Sequence, residues 1–473
     1  MNHNPILDVD SYKASHFLQY PPGATTVSSY IESRGGDAPH TVFFGLQRFL
    51  KRYLSQPITT AHIAEAADLL PAHGLPFHRE GWEHILDAHG GYLPLAIEAV
   101  PEGSVVPVSN VLVQVHNTDP ACAWLTSYVE TAMLRAVWYP TTVATRSFAC
   151  RRIIARALAK TADSLDGLPF KLHDFGARGA SSLETAAIGG AAHLLSFQGT
   201  DTLSGILALR ESYHADMPGF SIPAAEHSTM TAWGRAHEAD AYRNMLEQFG
   251  GEGCVVAVVS DSYDLFEAID VIWGGQLRDA VERSGGTVVV RPDSGHPVHI
   301  VCEAIERLMN KFGHRVNDKG YRVLPDCVRV IQGDGVSPAM IEQILEAMAS
   351  KGLSADNVAF GMGGELLQRV DRDTQRFAMK ASAIEVDGRW RDVYKAPVTD
   401  SGKASKRGRL ALVRDPKWRT VRAETLGERD NVLRPVYRDG ELLVDDTLEA
   451  IRARLNATEI SVADVSAPGD AAC

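Results

Sequence analysis

Between Gly167 and Gly364 one pattern recurs: a short apolar, β-branched run ends in an acid, a histidine or a glycine and gives way to a stretch with helical spacing. The runs are Phe170 to Gly176, Val255 to Asp261, Thr287 to Gly295, Val328 to Gly335 and Val358 to Gly364. Runs apolar on both faces belong to strands covered by helices, and helices between successive strands impose parallel pairing. Polar residues then gather at the carboxyl ends of the strands, where βα-barrels and open doubly wound sheets both build their sites. Because the polar ends spread over so many successive strands, the pattern predicts an α/β chain with an irregular βα-barrel (TIM-like) core.

The flanking segments read differently. Met1 to Gly36 mixes Asp8, Asp10, Tyr12, Lys13 and His16 with the turn Pro21-Pro22-Gly23, and predicts an irregular arm laid on something else. Helical spacing appears over Thr41–Leu54, Thr60–Leu70, Trp124–Ala136 and Thr142–Ala159. Leu93 to Val115 instead alternates about Pro101-Glu102-Gly103, as paired strands do. After Arg372 the runs Phe377–Val386, Trp390–Tyr394 and Arg409–Val413 predict antiparallel strands, and the tail after about Asn456 reads as loose. The expected organisation is a mixed α/β layer over 1–165, the barrel over 166–385 and a β-rich segment over 386–473. The outer parts together would form an additional mixed or antiparallel β-rich domain.

Length and charge narrow the function. A chain of 473 residues exceeds one ordinary domain, and its net charge of −12 disfavours nonspecific nucleic-acid binding, which needs basic patches. No apolar run approaches a membrane span and the N-terminus lacks an export pattern, so a cytoplasmic, membrane-free protein is expected. Six scattered cysteines without a CxxC pair argue against a zinc site or a disulfide framework.

The strand ends carry the candidate chemistry. In Gly219 to Thr229, a small-residue turn delivers Glu226 and His227 together, with Ser228 or Thr229 placed to cap a helix predicted over Thr231–Met245. His227 would face a helix N-terminus, where anions are favoured, although a plain capped helix start remains an alternative. Arg291-Pro292-Asp293 offers a cation and a carboxylate across a rigid turn, suited to a ribose hydroxyl, Mg²⁺ or an anion. Gly333-Asp334-Gly335 and Gly361-Met362-Gly363-Gly364 let backbone N–H groups approach a phosphate. Together these point to a phosphorylated sugar. The basic stretch Lys403 to Arg409 reads either as a solvated loop or as a phosphate grip.

The chain resembles the nicotinamide phosphoribosyltransferase family. The matching stretches are Asp10 to Lys13 with Gln19 to Pro22, Lys171 to Gly176 with Arg178-Gly179, Gly199 to Asp201, Pro223 to Ser228, Val259 to Asp264, Arg291 to Gly295 and Ile331 to Gly335. They lie in order over nearly the whole chain. The resemblance implies transfer of a phosphoribosyl group from phosphoribosyl pyrophosphate to nicotinamide, ATP as co-substrate, Mg²⁺, and a homodimer with composite sites. It places the pyridine ring between Phe175 and Tyr12 of the second subunit, with Asp201 on the carboxamide and Arg291 beside the ring. Arg178 belongs to the same substrate-binding set. Asp293, Gly333 and Asp334 would hold the ribose, and Gly363, Gly364, Arg372 and Lys380 the 5′-phosphate. Arg34, Asp261, Lys395 and Lys403 would manage pyrophosphate and Mg²⁺, with Asp261 and Asp293 as its ligands. That assigns the basic stretch a role. His227, oriented by Glu226, would be the phosphorylated histidine.

Departures from the family pattern are Ala378, Met362, Glu365 and Ala257. Glu365 beside a phosphate would be repulsive unless it points away. The rival activities are a nicotinate phosphoribosyltransferase of the same fold and, more remotely, a metal-dependent barrel hydrolase using His173, Asp174, His227, Asp261 and Asp293. Displacing pyrophosphate at C1 builds oxocarbenium character, so a site rich in carboxylates and cations is expected without a protein nucleophile at C1.

Overall fold

The computed structural model describes residues 4–396 and 405–458. The chain is a mixed α/β protein of two units. One comprises Met1–Thr145, Leu209–Ala215 and Val370–Glu459, and the other Arg146–Ala208 with Asp216–Arg369.

The first unit is built from both ends of the chain around a seven-stranded sheet. Its order is Arg389–Asp392, Phe377–Val386, Ala24–Ser33, Val111–Asn117, Leu95–Ala99, Arg434–Arg438 and Glu441–Leu442, and all its pairings are antiparallel. The predicted pairing about Pro101 is present, with Ile97 opposite Val115. The arm, however, ends at the turn before Ala24, because Ala24–Ser33 is a central strand buried over its last seven residues. Its serines and Glu32 disguised it: in place, Ser33 Oγ donates to Gln375 O at 2.7 Å, so the polar groups are satisfied inside the sheet. The expected helix over Thr41–Leu54 also begins as a strand, His40–Val42, paired with Val105–Pro107, and turns helical only at Leu46. Trp82, Tyr30, Phe43 and Tyr437 are fully buried in this unit's core.

The second unit holds a six-stranded parallel sheet. Its order is Gly199–Thr200, Leu172–Asp174, Val358–Met362, Val328–Gln332, Thr287–Arg291 and Val255–Val259. The sheet curls, and both of its edge strands bond to one segment, 219–225. Thr200 N–H donates to Phe220 O at 2.9 Å, and Ala257 N–H donates to Pro223 O at 2.9 Å. Amphipathic helices such as Pro297–Phe312 and Pro338–Ser350 bury their apolar faces against it. The helix expected over Thr231–Met245 is two pieces, His227–Thr231 and Glu238–Phe249, parted at Gly234 with φ +81°. A left-handed residue ends the first helix there, and glycine adopts it without strain. The two helices expected over Trp124–Ala159 are largely one, Glu130–Thr161. Among the described residues no helix is long and apolar enough to cross a membrane.

Candidate active site

The floor of the site in the parallel unit is an apolar layer. Ala257, Val289 and Ile331, inward-facing on three neighbouring strands, pack with Ile222, Ala359 and Phe175. The Phe175 ring lies directly over the ends of two neighbouring strands, Val358–Met362 and Val328–Gln332: a Cβ on Gly361 would stand 1.9 Å from its Cε2, and one on Gly333 3.2 Å. Glycine at 361 is therefore a steric requirement of the ring's position. The Phe175 N–H donates to Met362 O at 2.9 Å, and Asp174, fully buried, accepts from the Gly176 N–H at 2.7 Å, so the turn carrying the ring is fixed on both sides. The result is a rigid aromatic face. Ala257, a departure from the family pattern, belongs to the layer beneath it.

Asp201 follows the edge strand Gly199–Thr200. Its Oδ1 accepts from the Ser221 hydroxyl at 2.5 Å and lies 2.8 Å from His173 Nε2, and the His173 ring sits 5.1 Å from that of Phe175. Burial opposes the charge of Asp201, but the hydrogen bonds from His173 and Ser221 outweigh it and hold the carboxyl below its ordinary range. Asp201 is thus an ionised acceptor placed beside the aromatic face. The sequence offers His173 only as a metal ligand and gives Ser221 no role. The alternation of Leu172, His173 and Asp174 shows that His173 points to the opposite face from its neighbours, but not toward Asp201.

Asp261, Arg291 and Asp293 stand at the ends of Val255–Val259 and Thr287–Arg291, and Glu226 and His227 at the start of the helix His227–Thr231. Asp261, whose side chain is 4% exposed, lies with Oδ1 3.1 Å from His227 Nε2. Its Oδ2 accepts from the Asp293 N–H at 2.8 Å and the Ser294 hydroxyl at 2.6 Å. Glu226 accepts from Ser228 instead, so the group that fixes His227 is Asp261 and not the expected Glu226. The Asp293 carboxylate has Arg291 Nε and His227 Nδ1 at 3.8 and 3.9 Å, beyond hydrogen-bonding distance. Arg291 Nε is buried and donates to nothing among the described residues. A buried donor left over in this way is costly unless a ligand takes it.

The glycine turns are open. A Cβ on Gly364 would meet nothing within 4 Å and one on Gly363 only Phe175 O at 3.7 Å, so their small size leaves space that the unit's own atoms do not fill. Met362 is fully buried. Glu365 pairs with Arg146 and Arg369, each at 3.4 Å, and its charge is neutralised there. Asp334 and Arg178 are exposed, and Gln332 Nε2 donates to Asp334 O at 2.7 Å.

The remaining candidates belong to the β-rich unit. Tyr12 is 57% exposed on the 3₁₀ helix Ser11–Leu18. Lys13 is buried against Glu130 at 2.7 Å, and Lys380 lies 3.8 Å from the same carboxylate. Burial lowers the Lys380 pKa; Glu130 opposes this, while Arg34, Lys13 and Lys395 push it the same way. Four cations thus share one neighbourhood, with Glu130 facing Lys13 and Lys380. Arg34 is bonded to Glu32 at 2.9 Å through Nε, and its Nη2 is buried without a hydrogen-bond partner among the described residues. Arg372 is exposed and pairs with Asp373. Lys403 lies outside the described residues.

A sequence model of the nicotinate phosphoribosyltransferase (NAPRTase) family matches residues 170–441, which hold the parallel sheet and its polar strand ends. The chain belongs to this family. A model of the nicotinamide phosphoribosyltransferase N-terminal domain matches residues 4–97. Within the family, a protein of Xanthomonas campestris pv. campestris (strain 8004) named nicotinamide phosphoribosyltransferase is 55% identical over 97% of this chain and 99% of its own. One of the same name from Acinetobacter baylyi is 33% identical over 96% and 97%. The crystal structure of nicotinate-nucleotide pyrophosphorylase from Pyrococcus furiosus aligns with a TM-score of 0.60 at 16% identity, covering 97% of this chain and 96% of that one, a likeness of fold.

Proposed function

We propose that this phosphoribosyltransferase acts on nicotinamide: the pyridine nitrogen displaces pyrophosphate from C1 of phosphoribosyl pyrophosphate and gives nicotinamide mononucleotide, a salvage step toward NAD. The observation that carries this reading is Asp201. It is held ionised by His173 and Ser221 beside the Phe175 face, and both bonds fall on Oδ1, leaving Oδ2 to accept from an amide NH₂. Nicotinate would set a second carboxylate against it. The names borne by the 55% and 33% identical relatives support the same choice.

The other residues divide the work by charge. Phe175 supports the ring and aligns its nitrogen with C1, Arg291 meets it with its unpartnered Nε, and Asp293, Gly333 and Asp334 bind ribose. Gly363, Gly364, Arg372 and Lys380 are assigned the 5′-phosphate, and Arg34, Lys395 and Lys403 the departing pyrophosphate. Asp293 fits a Mg²⁺ ion, because its hard oxygens lie beyond hydrogen-bonding distance of Arg291 Nε and His227 Nδ1. Asp261 fits it less well, since both of its oxygens are engaged. Bound with the diphosphate, the ion would offset the charge of the leaving group.

With Nε2–H directed at Asp261, the neutral tautomer of His227 presents the Nδ1 lone pair. Nδ1 attacks the γ-phosphorus of ATP, the bond to the β,γ-bridging oxygen breaks, and ADP leaves. In this reading the segment 219–225 closes the parallel sheet into an irregular βα-barrel, and two copies of the chain pair so that Tyr12 of one serves the Phe175 face of the other. The test is an end-point assay with phosphoribosyl pyrophosphate and either pyridine, with and without ATP. Nicotinamide mononucleotide from nicotinamide, raised by ATP, is expected; product from nicotinate at equal efficiency would overturn the assignment.

A further inference from the structure

The β-rich unit gathers a second set of ligating side chains that the transferase reaction does not use. His84 and His89 stand on the helix Arg79–His89, and Asp119 caps the short 3₁₀ turn Pro120–Cys122. Nε2 of His84 and Nε2 of His89 each lie 2.7 Å from the same oxygen, Asp119 Oδ2. The Cys122 sulfur completes the group: its Sγ and the ligating atoms of His84 and Asp119 all lie within 4.8 Å of one another. The two imidazole rings are 5.7 Å apart and inclined by 78°, and both direct Nε2 at Asp119 Oδ2, His84 as one of the three residues within 4.8 Å of one another and His89 beside them.

The turn that presents Asp119 and Cys122 is built rigidly. Asp119 Oδ1 accepts from the Ala121 N–H at 2.8 Å, and the Cys122 N–H donates to Asp119 O at 2.9 Å. Asn117 Nδ2 donates to the same carbonyl at 2.8 Å. Oδ1 is therefore committed to the turn, while Oδ2 is held only by the imidazoles. Cys122 is fully buried and forms no disulfide.

We propose that His84, His89, Asp119 and Cys122 form a four-ligand site for a borderline transition-metal ion of the Zn²⁺ or Co²⁺ type. Two imidazole nitrogens, one carboxylate oxygen and one thiolate are the donors such ions select, and a sulfur ligand excludes Mg²⁺ and Ca²⁺. Charge closes as well: a divalent ion with one carboxylate, one thiolate and two neutral imidazoles leaves the cluster neutral, which suits the burial of Cys122. On binding, the Cys122 thiol releases its proton and each imidazole carries its remaining hydrogen on Nδ1, freeing Nε2 for the ion. The ion would clip the helix Arg79–His89 to the turn after Val111–Asn117. The absence of any CxxC spacing had argued against zinc, but here the ligands come from two segments thirty or more residues apart.

The full-length protein, stripped with chelator, is titrated with Co²⁺ and followed by absorption spectroscopy. Visible bands of a four-coordinate ion with a near-ultraviolet sulfur-to-cobalt band are expected, saturating at one ion per chain, together with a rise in the thermal midpoint. Cys122→Ser, or Cys122→Ala if that variant is unstable, should lose the near-ultraviolet band. A His84→Gln, His89→Gln double variant should lose both sets of bands and the thermal gain. Transferase activity should be unchanged in each. A wild-type spectrum without the sulfur band, its persistence in both Cys122 variants, or an unaltered titration of the double histidine variant would each overturn the proposal and leave the cluster as an ion-paired helix cap.

Discussion

Asp261 holds His227 by one oxygen and the backbone of Asp293 by the other, at 3.1 and 2.8 Å, so a single buried carboxylate sets the imidazole and the neighbouring acid in register. The imidazole is 44% exposed, and its second nitrogen lies 3.9 Å from Asp293 Oδ2, beyond hydrogen-bonding distance. An energy-coupling histidine needs this arrangement, with one nitrogen anchored and the other accessible.

His227→Ala is accordingly expected to abolish ATP hydrolysis while weak ribosyl transfer persists, because C1 is not its target. Asp261→Asn should impair both, since it frees the imidazole and loosens the Asp293 turn. The checks are phosphate release and nicotinamide mononucleotide formation measured on the same preparations. Full ATP hydrolysis by the His227 variant would contradict the assignment.

Asp201 should set the choice of pyridine. Loss of the amide hydrogen bond and gain of carboxylate repulsion together predict a preference for nicotinamide over nicotinate of about 10²-fold or more in kcat/KM. Asp201→Asn should narrow that gap mainly by improving use of nicotinate. His173→Ala should weaken the preference indirectly, by removing the partner that holds Asp201 charged.

Gly361→Ala tests the aromatic floor. The new Cβ would lie 1.9 Å from the Phe175 ring, so ring or strand must move. The expected outcome is a loss of about 1 to 3 kcal/mol of stability in urea unfolding. A KM for nicotinamide raised more than that for phosphoribosyl pyrophosphate should accompany it.

Glu102 should make stability depend on pH. It is buried, and burial pushes its carboxyl up to about 7 against the Gln47 N–H, which donates to it at 2.7 Å, and the neighbouring Tyr213 hydroxyl. A raised acid pKa means the folded state binds the proton more tightly than the unfolded chain does. Its contribution is therefore full below the ordinary glutamate range and is lost as pH rises toward 7. Urea midpoints measured across this window should fall with pH in the parent protein, and Glu102→Gln should flatten that slope.

Composite sites predict complementation. Tyr12→Ala and Asp201→Ala proteins, each weakly active, should regain part of the activity when mixed under conditions where subunits exchange. Exchange shown by mass measurement without recovered activity would place both residues in one subunit's site.

The sequence by itself determined the parallel strand–helix pattern and the strand ends that carry Phe175, Asp201, Asp261, Arg291 and Asp293, because local apolar runs and their terminating residues are written within a few positions of each other. It could not show which side chains those ends bring into contact. That His227 is fixed by Asp261 and not by adjacent Glu226, that His173 and Ser221 hold Asp201, and that Glu365 is neutralised by Arg146 depend on strand order and on loops meeting across 20 to 220 residues. The serine-rich strand Ala24–Ser33 was hidden for the same reason: its polar groups suit a sheet interior only once distant partners such as Gln375 are in place. The gathering of His84, His89 and Cys122 around Asp119 likewise has no spacing signature, since a helix and a turn some thirty residues apart in the chain are brought together only by the tertiary fold.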